Sequence, residues 1–130
     1  MTYGDGVSDI NITKLLNNHI RNKKICTLTA VRPPARFGEL KINGTKVKAF
    51  NEKPQLNQGW INGGFFVFNY KIFKYLSNKN QMFEREPIQK LLKDKNVNAY
   101  KHKSFWMCMD TLRDKILLDK IINKRLKIKR

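Results

Sequence analysis

Two aspartates stand where the chain can offer a carboxylate to a cation. Asp5 lies between glycines in Tyr3-Gly4-Asp5-Gly6-Val7-Ser8-Asp9, after the short start Met1 to Tyr3, which reads as the last residues of a strand. Glycine on both sides leaves the backbone free to bend, so a phosphate or metal ion can come close. A hard cation such as Mg²⁺ takes oxygen ligands, commonly one or two carboxylates completed by substrate phosphates. Asp5 suits that role, and an ordinary Asp-Gly turn is the competing reading. Asp110 closes the apolar run Phe105-Trp106-Met107-Cys108-Met109 at the mouth of a helix. There it could ligate a metal, or cap the helix by accepting from its free amides, and local rules favour the cap.

A second constellation suits a sugar phosphate. Glu52 and Lys53 precede Pro54, which keeps the backbone before it extended. A carboxylate that accepts from sugar hydroxyls, beside an ammonium that meets a phosphate as a point charge, fits such a ligand; a solvent-exposed pair fits as well. Gly59-Trp60-Ile61-Asn62-Gly63-Gly64-Phe65 sets the Asn62 amide among glycines at the start of an apolar run. Glycines there weaken a strand, so they point either to close approach by a ligand or to plain turn geometry. The other reactive residue types are scattered. Cys26 and Cys108 fall outside any CxxC or Cys/His spacing and read as buried thiols. His19 falls in a helical pattern and His102 between two lysines, neither with a nucleophile or ligand cluster nearby in sequence.

The elements that must position these groups read as α/β, in one domain or one piece of a domain, with 130 residues, 41% hydrophobic and 11% aromatic. A helix is predicted over 12–22, capped by Asn11, with Ile12, Leu15, Leu16, His19 and Ile20 on one face. Residues 25–32, rich in Thr, Val and Ile, form a strand that Pro33-Pro34 stops. Residues 38–42 and 46–52 flank Asn43-Gly44, a hairpin-turn signal because both residue types tolerate positive φ. The apolar run within 60–69 suits a strand buried on both faces. Short helices over 70–76 and 87–92, a strand over 97–101 and a helix over 111–123 complete the order, the second short helix opening on Pro87.

No apolar run approaches the roughly 18 residues of a membrane span, and the start carries neither the basic nor the apolar part of a secretory signal, so the cytoplasm is the expected compartment. A net charge of +17 points, taken alone, to a polyanion such as nucleic acid. Lysines are spread through every segment beside plentiful Asn and Ile, as AT-rich coding produces, which favours composition over a nucleic-acid site. The run Lys124-Arg125-Leu126-Lys127-Ile128-Lys129-Arg130 is the densest basic stretch.

Together and in this order, the segments TYGDGVSD, RPPARFG, NEKP, GWINGGFFVF, REPIQKL and FWMCMDTLRDK resemble the glucose-1-phosphate cytidylyltransferases over nearly the whole chain. The resemblance implies a Rossmann-like nucleotidyltransferase fold with a mixed sheet, helices and a β-hairpin insertion, of which residues 1–130 would be the C-terminal part. It implies transfer of a cytidylyl group from CTP to glucose 1-phosphate, giving CDP-glucose and pyrophosphate, in a homo-oligomeric enzyme of nucleotide-sugar and O-antigen biosynthesis. By matching position, Asp5 and Asp110 would hold Mg²⁺, Glu52 and Asn62 would contact glucose, and Lys53 would hold the sugar phosphate. Gly38 and Gly63 would let the backbone approach the sugar, and Arg32 and Arg36 would reach a nucleotide or a neighbouring subunit.

Three departures qualify the match. Met107 stands where the family has glutamine, and Ala35 where its RPPGRFG loop has glycine. The glycine-rich GGLGTRL-type loop and the PKPM segment, which bind the nucleotide in the family, have no counterpart in the 130 residues. The expectation is therefore an N-terminal nucleotide-binding part supplied elsewhere, a separate half being one source, and no turnover by the 130 residues alone. A non-catalytic basic module binding nucleic acid or another polyanion is the alternative.

Overall fold

The computed structural model describes residues 1–33, 39–51, 59–77 and 80–128. Arg36, Gly38, Glu52 and Lys53, together with Ala35, lie outside the described residues.

The centre is a three-stranded mixed sheet in the order β5-β2-β6, formed by Ile61–Phe68, Cys26–Val31 and Val97–Lys101. β5 runs antiparallel to β2, with Cys26 opposite Phe68 and Val31 opposite Ile61. β6 runs parallel to β2, with Cys26 opposite Val97 and Ala30 opposite Lys101. The chain start pairs along the other edge of β5. Thr2 bridges Phe65, Tyr3 N–H donates to the Gly64 carbonyl at 2.9 Å, and Phe66 N–H donates to the Met1 carbonyl at 2.9 Å. It is a bridge, shorter than the strand the sequence suggests, and it too runs antiparallel to β5. The carboxyl ends of residues 1–3, β2 and β6 therefore lie along one edge of the sheet, where α/β proteins place their ligands.

Helix α1, Ile12–Asn22, joins that edge back to β2. Asn11 caps it as expected, its Oδ1 accepting from Lys14 N–H at 2.8 Å. Only part of its predicted apolar face is covered: Leu15 and His19 are buried, whereas Ile12, Leu16 and Ile20 are exposed. The 3-10 helix Tyr70–Tyr75 and helix α2, Glu86–Lys93, pack around Cys26, Phe66, Ile72 and Leu91, all buried. Phe83 meets Phe66 and Phe68 edge-on, at 5.6 and 5.2 Å between ring centroids, a favoured aromatic geometry. Segment 70–76 was predicted as a helix, and it takes the tighter 3-10 form.

Two further pairs stand outside this sheet. β3, Glu39–Asn43, and β4, Lys46–Asn51, form the predicted hairpin, with Gly44 at φ 58° in its turn. β1, Gly6–Ser8, pairs antiparallel with β7, Trp106–Cys108, matching Gly6 to Cys108 and Ser8 to Trp106. The sequence suggests no strand over Gly6 to Ser8. The segment becomes a strand because β7, distant in sequence, satisfies its backbone groups. Helix α3, Leu112–Ile128, follows β7. Among the described residues no helix is long and apolar enough to cross a membrane.

Candidate functional site

The β1–β7 ribbon brings Asp5 and Asp110 to the same end of one structural unit. Met109 N–H donates to the Asp5 carbonyl at 2.9 Å, so the backbones just before β1 and just after β7 are tied together. Both aspartates are exposed, and Asp110 Oδ2 accepts from the Cys108 thiol at 3.2 Å. The cap at the start of α3 comes from the residues that follow Asp110. Thr111 Oγ1 accepts from Asp114 N–H at 3.2 Å, and Asp114 Oδ2 accepts from Thr111 N–H at 3.0 Å, a reciprocal capping box at the start of α3. Thr111 is therefore the N-cap of α3, the position local rules assign to Asp110. Two carboxylates at one ribbon end suit a Mg²⁺ ion that draws its remaining ligands from phosphate and water. Among the described residues no group of three or more His, Cys, Asp or Glu could hold a metal unaided.

Asn62 stands in the second position of β5, its amide held at both ends. Its Nδ2 donates to the Tyr3 hydroxyl at 3.0 Å and its Oδ1 accepts from Gly64 N–H at 3.0 Å. The Tyr3 hydroxyl in turn donates to Glu84. The glycines beside Asn62 answer to packing within the chain. A Cβ on Gly63 would lie 2.7 Å from Val31 Cγ1 and 3.1 Å from the Thr29 carbonyl. Gly64 has φ +76°, and a Cβ there would lie 2.8 Å from the Tyr3 ring. Trp106 Nε1 donates to the Gly63 carbonyl at 2.8 Å, joining the ribbon to the sheet edge beside Asn62.

Farther along the same edge, the Arg32 guanidinium lies 4.6 Å from the Trp60 ring centroid and the Lys101 ammonium 5.5 Å from it. Both distances lie in the range of cation–π attraction. Among the described residues the buried Arg32 Nε has no hydrogen-bond partner.

Sequence reasoning missed a polar cluster at the base of the ribbon. His102 Nε2 lies 3.1 Å from Ser8 Oγ, 3.1 Å from Asp9 Oδ1 and 3.1 Å from the Phe105 carbonyl. Ser8 Oγ donates to the Phe105 carbonyl at 2.8 Å, and Ser104 Oγ donates to Asp9 at 2.9 Å. Among the described residues the imidazole side-chain contacts converge on one ring nitrogen, whereas a Ser-His-Asp relay uses both. The cluster is a clamp that fastens β1 and β7 to the end of β6, where His102 N–H donates to the Ala30 carbonyl at 2.9 Å. No local signal in the sequence marks it, because Ser8 and His102 meet only through tertiary pairing. His19 is also internal: it is buried, lies 2.9 Å from Thr27 Oγ1, and desolvation holds its imidazole below the ordinary value. Cys26 is fully buried as expected, its thiol pushed up to about 12 by desolvation, while Cys108 is only half-buried.

Comparison with known proteins gives a consistent result. The nucleotidyl transferase family profile matches residues 1–115. The chain is 42% identical over 123 residues to the glucose-1-phosphate cytidylyltransferase of Salmonella typhimurium, covering 95% of this chain and 48% of that protein. It is 38% identical over 125 residues to the probable glucose-1-phosphate cytidylyltransferase of Bacillus subtilis, covering 95% and 49%. Its fold matches that of a putative glucose-1-phosphate thymidylyltransferase from Bacillus anthracis with a TM-score of 0.60 at 17% identity, over 91% of this chain and 51% of that one. The chain thus spans about half the length of the relatives it matches.

Proposed function

The chain belongs to the nucleotidyl transferase family, and from that premise we propose that it supplies the sugar-phosphate and metal-binding part of a cytoplasmic, homo-oligomeric glucose-1-phosphate cytidylyltransferase. The observation that carries the reading is the meeting of Asp5 and Asp110 at one end of the β1–β7 ribbon, with α3 capped by Thr111 instead. It is supported by the 42% identity to the Salmonella typhimurium enzyme over 95% of the chain.

In the reaction, a phosphate oxygen of glucose 1-phosphate forms a bond to the α-phosphorus of CTP, and the bond to the β-phosphate breaks, releasing pyrophosphate. The nucleophile is already ionised, so little general-base work is needed, and catalysis lies in alignment and charge neutralisation. Asp5 and Asp110 hold Mg²⁺, which when bound offsets phosphate charge. Lys53 holds the sugar phosphate, Glu52 and Asn62 accept and donate at glucose hydroxyls, and Arg32 and Arg36 reach the nucleotide or a neighbouring subunit. Gly38 lets the backbone approach the sugar. Gly63 does the same, and Val31, which fills the space a side chain would occupy, is a second reason for glycine there. CDP-glucose made this way feeds surface polysaccharide such as O-antigen.

The test is turnover. Joined to a segment carrying the glycine-rich nucleotide loop of a relative, the chain is expected to form CDP-glucose from CTP and glucose 1-phosphate. Alone it forms none, and Asp110→Asn in the joined protein lowers kcat by roughly two orders of magnitude or more. A folded joined protein without turnover, or one that prefers another nucleotide, sinks the reading.

A further inference from the structure

Asn62 is held by a directional chain of hydrogen bonds, and the direction has a consequence for what its amide can offer. Glu84 accepts the Tyr3 hydroxyl proton. A hydroxyl that donates there turns a lone pair toward Asn62, whose Nδ2 donates to it at 3.0 Å. At the other end Gly64 N–H, which can only donate, selects Oδ1 at 3.0 Å. Both contacts agree on one orientation of an amide whose ends are otherwise nearly interchangeable. An asparagine amide carries two N–H donors and two acceptor lone pairs. The internal contacts use one of each, and one N–H and one lone pair remain. That donor-acceptor pair matches two neighbouring hydroxyls of a sugar ring, one accepting and one donating.

The scaffold around Tyr3 serves the same alignment. Its ring lies 5.6 Å from that of Phe66, and Gly64 leaves the space that a Cβ would take from it. The hydroxyl is thus carried by a ring packed against the core, while Asn62 itself is exposed on the sheet edge.

We propose that Tyr3 is a positioning residue for the sugar site, fixing with Glu84 the orientation in which the Asn62 amide meets a pair of adjacent sugar hydroxyls. This role rests on the reading above, in which Asn62 contacts glucose. The two are separated by following the Asn62 side-chain amide by nuclear magnetic resonance in the 130-residue chain while glucose 1-phosphate is added. In the wild type, the amide resonance shifts saturably with the ligand. Tyr3→Phe keeps the ring and removes the hydroxyl. It is expected to move the Asn62 amide resonance before any ligand is added and to weaken glucose 1-phosphate binding about tenfold, the upper range for loss of one hydrogen bond. Glu84→Leu, which leaves Tyr3 in place but removes its acceptor, weakens binding about threefold. Glu84→Gln keeps an acceptor oxygen and restores it, an outcome a purely structural role would not produce. If Tyr3→Phe fails to fold, the Glu84 pair decides. Unchanged affinity and an unmoved amide in folded Tyr3→Phe overturn the positioning role alone. Absence of glucose 1-phosphate binding by the wild type overturns the sugar-site reading and this role with it.

Discussion

The central sheet and the β3–β4 hairpin both form ladders of strand-forming residues, yet among the described residues only the sheet is covered by the rest of the chain. β2 is covered on both faces: Cys26, Thr27 and Thr29 are completely buried, and β5 and β6 flank it. Among the described residues the hairpin pairs only with itself, and Leu40, Ile42, Val47 and Phe50 are exposed, Phe50 by 62%. Asn43-Gly44 makes the turn and strand propensity makes the arms, but a two-stranded ribbon gains little without a surface beneath it. Local signals therefore set where strands form, and tertiary cover decides which of them contribute to stability. Of the residues implied in sugar-phosphate binding, Asn62 is locked to the covered sheet.

Substitutions should expose this contrast on a descending scale. Leu91→Ala empties a fully buried site against the sheet and should cost about 2–5 kcal/mol in chemical denaturation. Gly63→Ala forces a Cβ to within 2.7 Å of Val31 Cγ1 and should cost about 1–3 kcal/mol by the same measurement. Were the glycine kept only for a ligand, stability would hold and only binding would suffer. His19 gives a pH-dependent step. Burial holds its imidazole below the ordinary 6.5, so the unfolded chain takes up the proton first. Stability is then unaffected above pH 6.5 and declines as pH falls below it, and His19→Gln should flatten that slope. Phe50→Ser, on the exposed hairpin, should change stability by less than about 0.5 kcal/mol. A large loss there would mean that the hairpin is covered after all.

How much of this was legible in the sequence follows from the same distinction. Helix α1 matches its predicted range and cap because Asn11 and the apolar spacing are local signals. β6 matches as well, and Asn43-Gly44 marks the hairpin turn. β1 was not legible, because its partner is β7. The clamp of Ser8, Asp9 and His102 was hidden for the same reason. Asp110 looked like a cap by position, and only the reciprocal bonds between Thr111 and Asp114 show that the next residue does that work. At Gly63 the sequence could not show that Val31 fills the space a side chain would take.

The central claim, that these residues form the sugar-phosphate side of a nucleotidyltransferase, is tested most directly by calorimetric titration of glucose 1-phosphate into the chain with Mg²⁺ at physiological salt. The account predicts saturable binding that Lys53→Met abolishes, while binding of the +17 chain to nucleic acid fades steeply as salt rises. No saturable binding of glucose 1-phosphate, together with sequence-selective nucleic-acid binding that survives physiological salt, would contradict it.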